Sequence, residues 1–164
     1  MRNKNDTLHI GMIGLGTVGM RVASELQENA PLLRQRTGST INVVAACVRD
    51  ISKKRSEAGL DFRLTDDPAE VIDNPDIDLV IELMGGISPA KEFILRAIKN
   101  DKHVITANKA LLACYGGEIS LAAKEKRRFV GYEGAVAGGI PIIKLIREGL
   151  VANKVTRLEG IING

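Results

Sequence analysis

Short, mainly apolar runs alternate along this chain with stretches whose apolar residues return every three or four positions. The runs are residues 9–13, 41–48, 78–83, 103–106 and 128–132. Runs of this length bounded by turn formers read as strands covered on both faces. Between them Val18, Val22 and Leu26 recur at helical spacing, as do Phe93, Ile94, Ala97 and Ile98. A short helix is expected after Thr65-Asp66-Asp67-Pro68, where capping side chains precede a proline. Others are expected after Ser88-Pro89, over residues 117–127, and from Pro141 to a stop at Gly149. Residues 34–40 read as a polar, basic connection and 133–141 as a loop of small residues. Strand and helix in alternation predict an α/β fold, a doubly wound parallel sheet with right-handed crossovers.

The first run breaks into Gly14-Leu15-Gly16-Thr17-Val18-Gly19, a full G-x-G-x-x-G between a strand and a helix. In that context the glycines have separate tasks. Gly14 permits the tight turn, Gly16 leaves room for a pyrophosphate against the backbone, and Gly19 lets the helix pack closely. The free N–H groups and positive end of the helix then face the phosphates. The expectation is a Rossmann-type dinucleotide-binding domain, with Gly14, Gly16, Thr17, Val18 and Gly19 at the cofactor.

The end of the second run chooses between cofactors. An acidic residue there accepts from the adenosine ribose and favours NAD, whereas an arginine accommodates the 2′-phosphate of NADP. Arg49 comes first and Lys53, Lys54 and Arg55 follow closely, which favours NADP(H). Asp50 keeps NAD(H) open, and a solvated basic loop is the plainer alternative. After the third run, Met84 and Gly85, followed by Gly86, form a small-residue turn where a ligand can approach the backbone.

Composition narrows the rest. The chain has 164 residues, 45% of them hydrophobic and 26% charged, enough for one domain with a core of its own. A net charge of +3 and an absence of Trp give no footing for nucleic acid. The basic run at 124–128 reads as a solvated helix end, where cations complement the dipole. No apolar run approaches the roughly 20 residues of a membrane span, and residues 1–8 lack the apolar core of a signal peptide. Cys47 and Cys114 form no C-x-x-C pair and read as reduced thiols of a cytoplasmic protein. His9 and His103 stand at strand starts, away from the ligand edge, which suits structural roles.

Taken together, GLGTVG, VRD, ELMGG, HVITANKALL, EGAVAGGIPIIKLIREGL and GIING resemble the N-terminal, nucleotide-binding half of homoserine dehydrogenase. The likeness runs from about residue 8 to 164, and TANKALL and AVAGGIPII are not generic to dinucleotide folds. It implies reversible reduction of aspartate 4-semialdehyde to L-homoserine with NAD(P)H, in threonine and methionine biosynthesis. Hydride added to an aldehyde leaves an alkoxide, and a lysine ammonium can stabilise and protonate it. The resemblance assigns that place to Lys109, with Thr106 beside it at the cofactor. It also implies a monovalent cation, usually sodium, at Glu133, Val136, Gly138 and Ile140. Read as residues alone, Glu133 serves equally well as a helix-capping or salt-bridging acid.

The dinucleotide-binding domain is expected over residues 1–152, and 153–164 as the first strand of a substrate and dimerisation domain. In the resembled family the substrate carboxylates, a second essential lysine and the dimer-forming sheet lie beyond this segment. A homo-oligomer is therefore expected of the full-length protein only. Nothing kinase-like precedes Gly11, so fusion to an aspartokinase is not expected. Two rivals stand beside this reading, with a fold that binds no ligand at all as a third option. One is another oxidoreductase on the same architecture, such as an aspartate dehydrogenase or the glucose-fructose oxidoreductase group. The other is a non-catalytic dinucleotide sensor, which needs the glycine loop but not Lys109.

Overall fold

The computed structural model describes residues 7–53 and 61–160. Among the described residues six parallel strands form one sheet: β1 (Thr7–Ile13), β2 (Thr40–Cys47), β3 (Arg63–Thr65), β4 (Leu79–Glu82), β5 (His103–Thr106) and β6 (Val130–Gly131). Their order is β3-β2-β1-β4-β5-β6, so the winding reverses between β1 and β4. That reversal opens a crevice at the carboxyl ends of the strands, the place where open α/β sheets bind ligands. β1, which leads into the glycine turn, is thus a central strand.

Period-two alternation explains how apolar runs serve two layers. Ile10, Met12, Ala46, Val48, Leu79 and Ile81 pack on one face, under Ala23, Met20, Val22 and Leu26 of α1 (Thr17–Glu28). Ile13, Ala45, Cys47, Val80 and Val104 pack on the other. That face is covered by α3 (Ala69–Ile72), α4 (Ala90–Lys99) and α5 (Lys109–Lys126). Each helix donates an apolar stripe, as Ala90, Ile94, Ala97 and Ile98 do from α4. Among the described residues no helix is long and apolar enough to cross a membrane.

The expected alternation and the doubly wound sheet are present, with several departures. Residues 34–40 are not simply a connection. Helix α2 (Ala30–Thr37) fills most of that span, buries none of its residues, and ends on a left-handed Gly38. Strand β3 lacked a sequence expectation because it is a three-residue edge strand with only Thr65 buried. Helix α5 begins at Lys109, eight positions before the expected 117, because Leu111 is buried against the core along with Ile119 and Ala123. Packing there overrides the low helix propensity of Gly116 and Gly117. Helix α4 follows Ser88-Pro89 as expected, with Pro89 at the cap position and no side-chain cap hydrogen bond there. From Pro141 the chain makes one α turn, α6 (Ile142–Lys144), and then a π turn (Leu145–Gly149). The expected strand from Val155 is absent over 155–160, which is exposed and without ladder partners; residues 161–164 lie outside those described.

Candidate functional site

Register brings the strand exits into one row. Cys47, Ile13, Glu82 and Thr106 are ladder neighbours across β2, β1, β4 and β5. The loops marked for contact with the dinucleotide leave the sheet from that row.

The glycine turn is locked mechanically. Gly14 has φ +96°, a left-handed conformation costly to L side chains, and a Cβ there would lie 2.7 Å from the Met84 backbone nitrogen. Its N–H donates to the Cys47 carbonyl (2.9 Å), which ties β1's exit to β2. Gly19 admits α1 against the turn, since a Cβ there would stand 2.3 Å from the Gly14 carbonyl oxygen. Gly16 faces open space. It begins α1 in an extended conformation without any side-chain cap, and the first turn carries no acidic residue. The opening amides of a twelve-residue helix thus face the crevice without a side-chain cap, as an anion cradle requires. Thr17 and Val18 are exposed beside it. Val18, 57% exposed, does not belong to the sheet-facing stripe expected of it; Gly19, Val22, Ala23 and Leu26 do that packing.

Arg49 and Asp50 follow β2 and are both exposed. The Asp50 carboxylate accepts from the Ser52 backbone N–H (2.8 Å) and hydroxyl (2.6 Å), so it folds back on its own turn. Lys53 is exposed. Lys54 and Arg55 lie outside the described residues. Met84 is half-buried and Gly85 exposed at the exit of β4. Lys109 is exposed at the first position of α5, directly after the row. Thr106 lies one layer beneath the crevice rather than on it: it is fully buried, its hydroxyl donating to Glu82 Oε2 (2.6 Å) and accepting from the Asn108 N–H (3.0 Å).

Sequence reasoning assigned no role to Glu82 or Asn108. Glu82 is fully buried, and its Oε1 accepts from the N–H groups of Met84 (2.9 Å) and Gly85 (3.3 Å). Asn108 caps α5 by accepting from Leu111 N–H (3.1 Å), and its amide donates to the Gly86 carbonyl. The available signal was an acid closing a wholly apolar strand, where an unpaired carboxyl would be costly.

The four residues expected at a cation leave the sheet after β6. Their donors would all be oxygens, the chemistry a hard cation takes. Here Glu133 acts as a cap: Oε1 accepts from Ile143 N–H and Oε2 from Lys144 N–H, both at 2.9 Å, at the start of α6. Ile140 is exposed and its carbonyl accepts from Ile142 N–H (2.8 Å); Val136 is half-buried and Gly138 exposed.

His9 and His103 lie away from the crevice, as expected. The backbone N–H of His9 donates to Asp78 (3.1 Å), and the ring of His103 accepts from Phe129 N–H (2.9 Å) through Nδ1. A recess of about 930 Å³ opens at that opposite edge, lined by Asp73, Asp101, Lys102 and Arg128 among others. Several of its charges are engaged within the fold: Asp73 with Arg96, Arg128 with Asp101, and Lys102 with the carbonyls of Asn74 and Ile77. It has neither glycine turn nor uncapped long helix, and we place no nucleotide there. Cys47 is buried, and desolvation, followed by the nearby Asp67, Asp66 and Glu70, raises its thiol pKa; Cys114 is exposed, and neither forms a disulfide.

Comparison with known proteins bears on the fold and the family. The family described as "Homoserine dehydrogenase, NAD binding domain" matches residues 14–133. The chain is 46% identical over 158 residues to the homoserine dehydrogenase of Neisseria gonorrhoeae, covering 96% of this chain and 36% of that protein. It is 48% identical over 158 residues to that of Pseudomonas aeruginosa, covering 94% and 35%. Among solved structures, a homoserine dehydrogenase from Thiobacillus denitrificans is 51% identical with a TM-score of 0.82, over 90% of this chain and 34% of that one. A hyperthermophilic archaeal homoserine dehydrogenase in complex with NADPH is 25% identical with a TM-score of 0.72, over 89% and 50%. The chain spans about a third of the length of the curated relatives it matches.

Proposed function

We propose, from the premise that this chain belongs to the homoserine dehydrogenase NAD-binding domain family, that it is the nucleotide-holding part of a homoserine dehydrogenase. The observation that carries this is the interlock at the winding reversal. Gly14 abuts Met84, Gly19 abuts Gly14, and Gly16 leaves open space before uncapped helix amides. Residues of this kind fit a nicotinamide dinucleotide: α1's first amides and Gly16 would hold the pyrophosphate, with Thr17 and Val18 alongside and Met84 and Gly85 on the far wall.

The proposed reaction is reversible reduction of aspartate 4-semialdehyde to L-homoserine. When bound, the nicotinamide supplies or takes the hydride. Lys109 supports the charge that develops on the substrate oxygen and delivers a proton to it, an electrostatic and acid role for one ammonium group. Its exposure at the α5 start, beside the row of strand exits, is what supports this role.

Two finer points belong to the same reading. Arg49, exposed after β2 while Asp50 is turned onto Ser52, favours NADP(H) over NAD(H). A monovalent cation such as sodium at Glu133, Val136, Gly138 and Ile140 is compatible with the oxygen donors there, because each carboxylate oxygen retains a second lone pair. The expected setting is the cytoplasm, with a homo-oligomer at full length. Titrating the purified chain with NADPH and with NADH, read by nicotinamide fluorescence, tests the proposal. Saturable binding of NADPH, tighter than NADH, is expected; no saturable binding of either at millimolar nucleotide overturns it.

A further inference from the structure

We propose that Glu82 is a positioning residue for the reaction centre, setting both the turn after β4 and the helix start that presents Lys109. This rests on the reading of Lys109 given above.

A carboxyl group fully excluded from water at the end of an apolar strand is costly unless every acceptor is used. Here both oxygens are used, one on the turn after β4 and one on neighbouring β5. Oε1 gathers the Met84 and Gly85 amides, and Oε2 takes the Thr106 hydroxyl proton. The Thr106 oxygen accepts from Asn108 N–H, and Asn108 both caps α5 and donates to the Gly86 carbonyl. The hydrogen bonds therefore close a circuit from β4's exit turn, through β5's end, to the first turn of α5 and back.

Packing alone would not hold this turn. Gly85 and Gly86 are exposed, have no side chains, and sit at φ +71° and +76°. Their positions depend on the amide that Gly85 gives to Glu82 and the carbonyl that Gly86 offers to Asn108. Met84 is in turn the surface on which Gly14 rests. One buried carboxyl thus registers the turn along the crevice wall with the residue immediately preceding Lys109. An apolar residue in its place would fill the volume but hold neither.

The test is a double-mutant cycle in the protein that carries this domain together with the remaining length its relatives have. Glu82→Gln keeps size and the amide acceptor but puts N–H donors where the Thr106 proton lies. Melting temperature, NADPH affinity, and kcat and KM for homoserine are measured for Glu82→Gln, Lys109→Ala and the double variant. A misplacement of about 1 Å can cost on the order of a hundredfold, so Glu82→Gln should lower kcat by about 10- to 100-fold, with NADPH affinity within about threefold. Because Glu82 acts through Lys109, the double variant should fall within about threefold of Lys109→Ala alone; independent sites would multiply their losses.

Multiplied losses, or an unchanged kcat in Glu82→Gln, overturn the proposal. An unchanged kcat in Lys109→Ala overturns instead the role of Lys109 on which it rests. Should Glu82→Gln fail to fold, the same cycle is run with Thr106→Val, which removes the proton donor to Glu82 together with the acceptor for the Asn108 N–H and so cuts the same circuit. Thr106→Ser should then recover most of the activity that Thr106→Val loses, and equal loss in both overturns the proposal.

Discussion

Arg49 and Gly19 illustrate how single positions divide the work of holding a dinucleotide. Arg49 is exposed beyond β2, so truncating it removes charge without disturbing the core. A charge-assisted contact to a 2′-phosphate is worth about 1.5–3 kcal/mol. Arg49→Ala should therefore weaken NADPH binding roughly tenfold or more, at 1.4 kcal/mol per decade, and leave NADH nearly unchanged. Paired titrations read this directly, and equal loss for both nucleotides removes Arg49 as the phosphate reader. Gly19 contributes space instead of charge. A methyl group there would lie 2.3 Å from a backbone oxygen that cannot swing away, so α1 must shift as a whole. Overpacking of this kind costs about 1–3 kcal/mol. Gly19→Ala should lower the melting temperature by roughly 2–4 °C per kcal/mol and weaken both nucleotides alike, as calorimetry with the same titrations would show. A melting temperature and affinity equal to the parent's would mean that the helix is free to move.

At the scale of elements, what was readable depended on whether local pattern and packing agreed. The β5 bounds coincide with the expected 103–106, and the glycine turn occupies the expected place, because an apolar run and a G-x-G-x-x-G each carry their own signal. Helix α2 was hidden because it buries nothing and so shows no stripe. The front half of α5 was hidden by two glycines that tertiary packing of Leu111 overrides. Glu82 escaped because its bond to β5 goes to a hydroxyl 24 positions away, a relation no local window contains, and because its two nearer partners are backbone amides that carry no side-chain signal. Glu133 shows the reverse case, since capping was one of two roles left open, and it caps α6. Loss of a cap typically costs about 1 kcal/mol, so Glu133→Ala should speed amide exchange at Ile143 and Lys144 by about fivefold. If sodium also binds there, it should slow exchange across residues 133–140 in the parent and not in Glu133→Ala. No response in the parent removes the cation from the reading.

For the molecule as a whole, the sheet separates a crevice from its support. β1, β4 and β5 end on one row, and the loops above it carry the glycine turn and Lys109. The two apolar layers around those strands bury the residues that set their register. A nucleotide-binding capacity should therefore reside within the 164 residues themselves. Hydride transfer asks for more, because a substrate must be held within about 3–3.5 Å of the reacting atoms and aligned. Homoserine carries an ammonium and a carboxylate, each of which needs an oppositely charged partner to fix that alignment. The chain spans about a third of its curated relatives, and past β6 it is sparsely packed, with Ile140, Val151, Val155 and Leu158 exposed. Losing positioning costs several orders of magnitude, so the 164-residue chain should bind NADPH yet oxidise homoserine at less than about a thousandth of the rate of the protein extended to its relatives' length. Steady-state NADPH formation compares the two. Equal turnover would show that the substrate is held by the crevice described here, and the division between nucleotide and substrate parts would have to be redrawn within this one sheet.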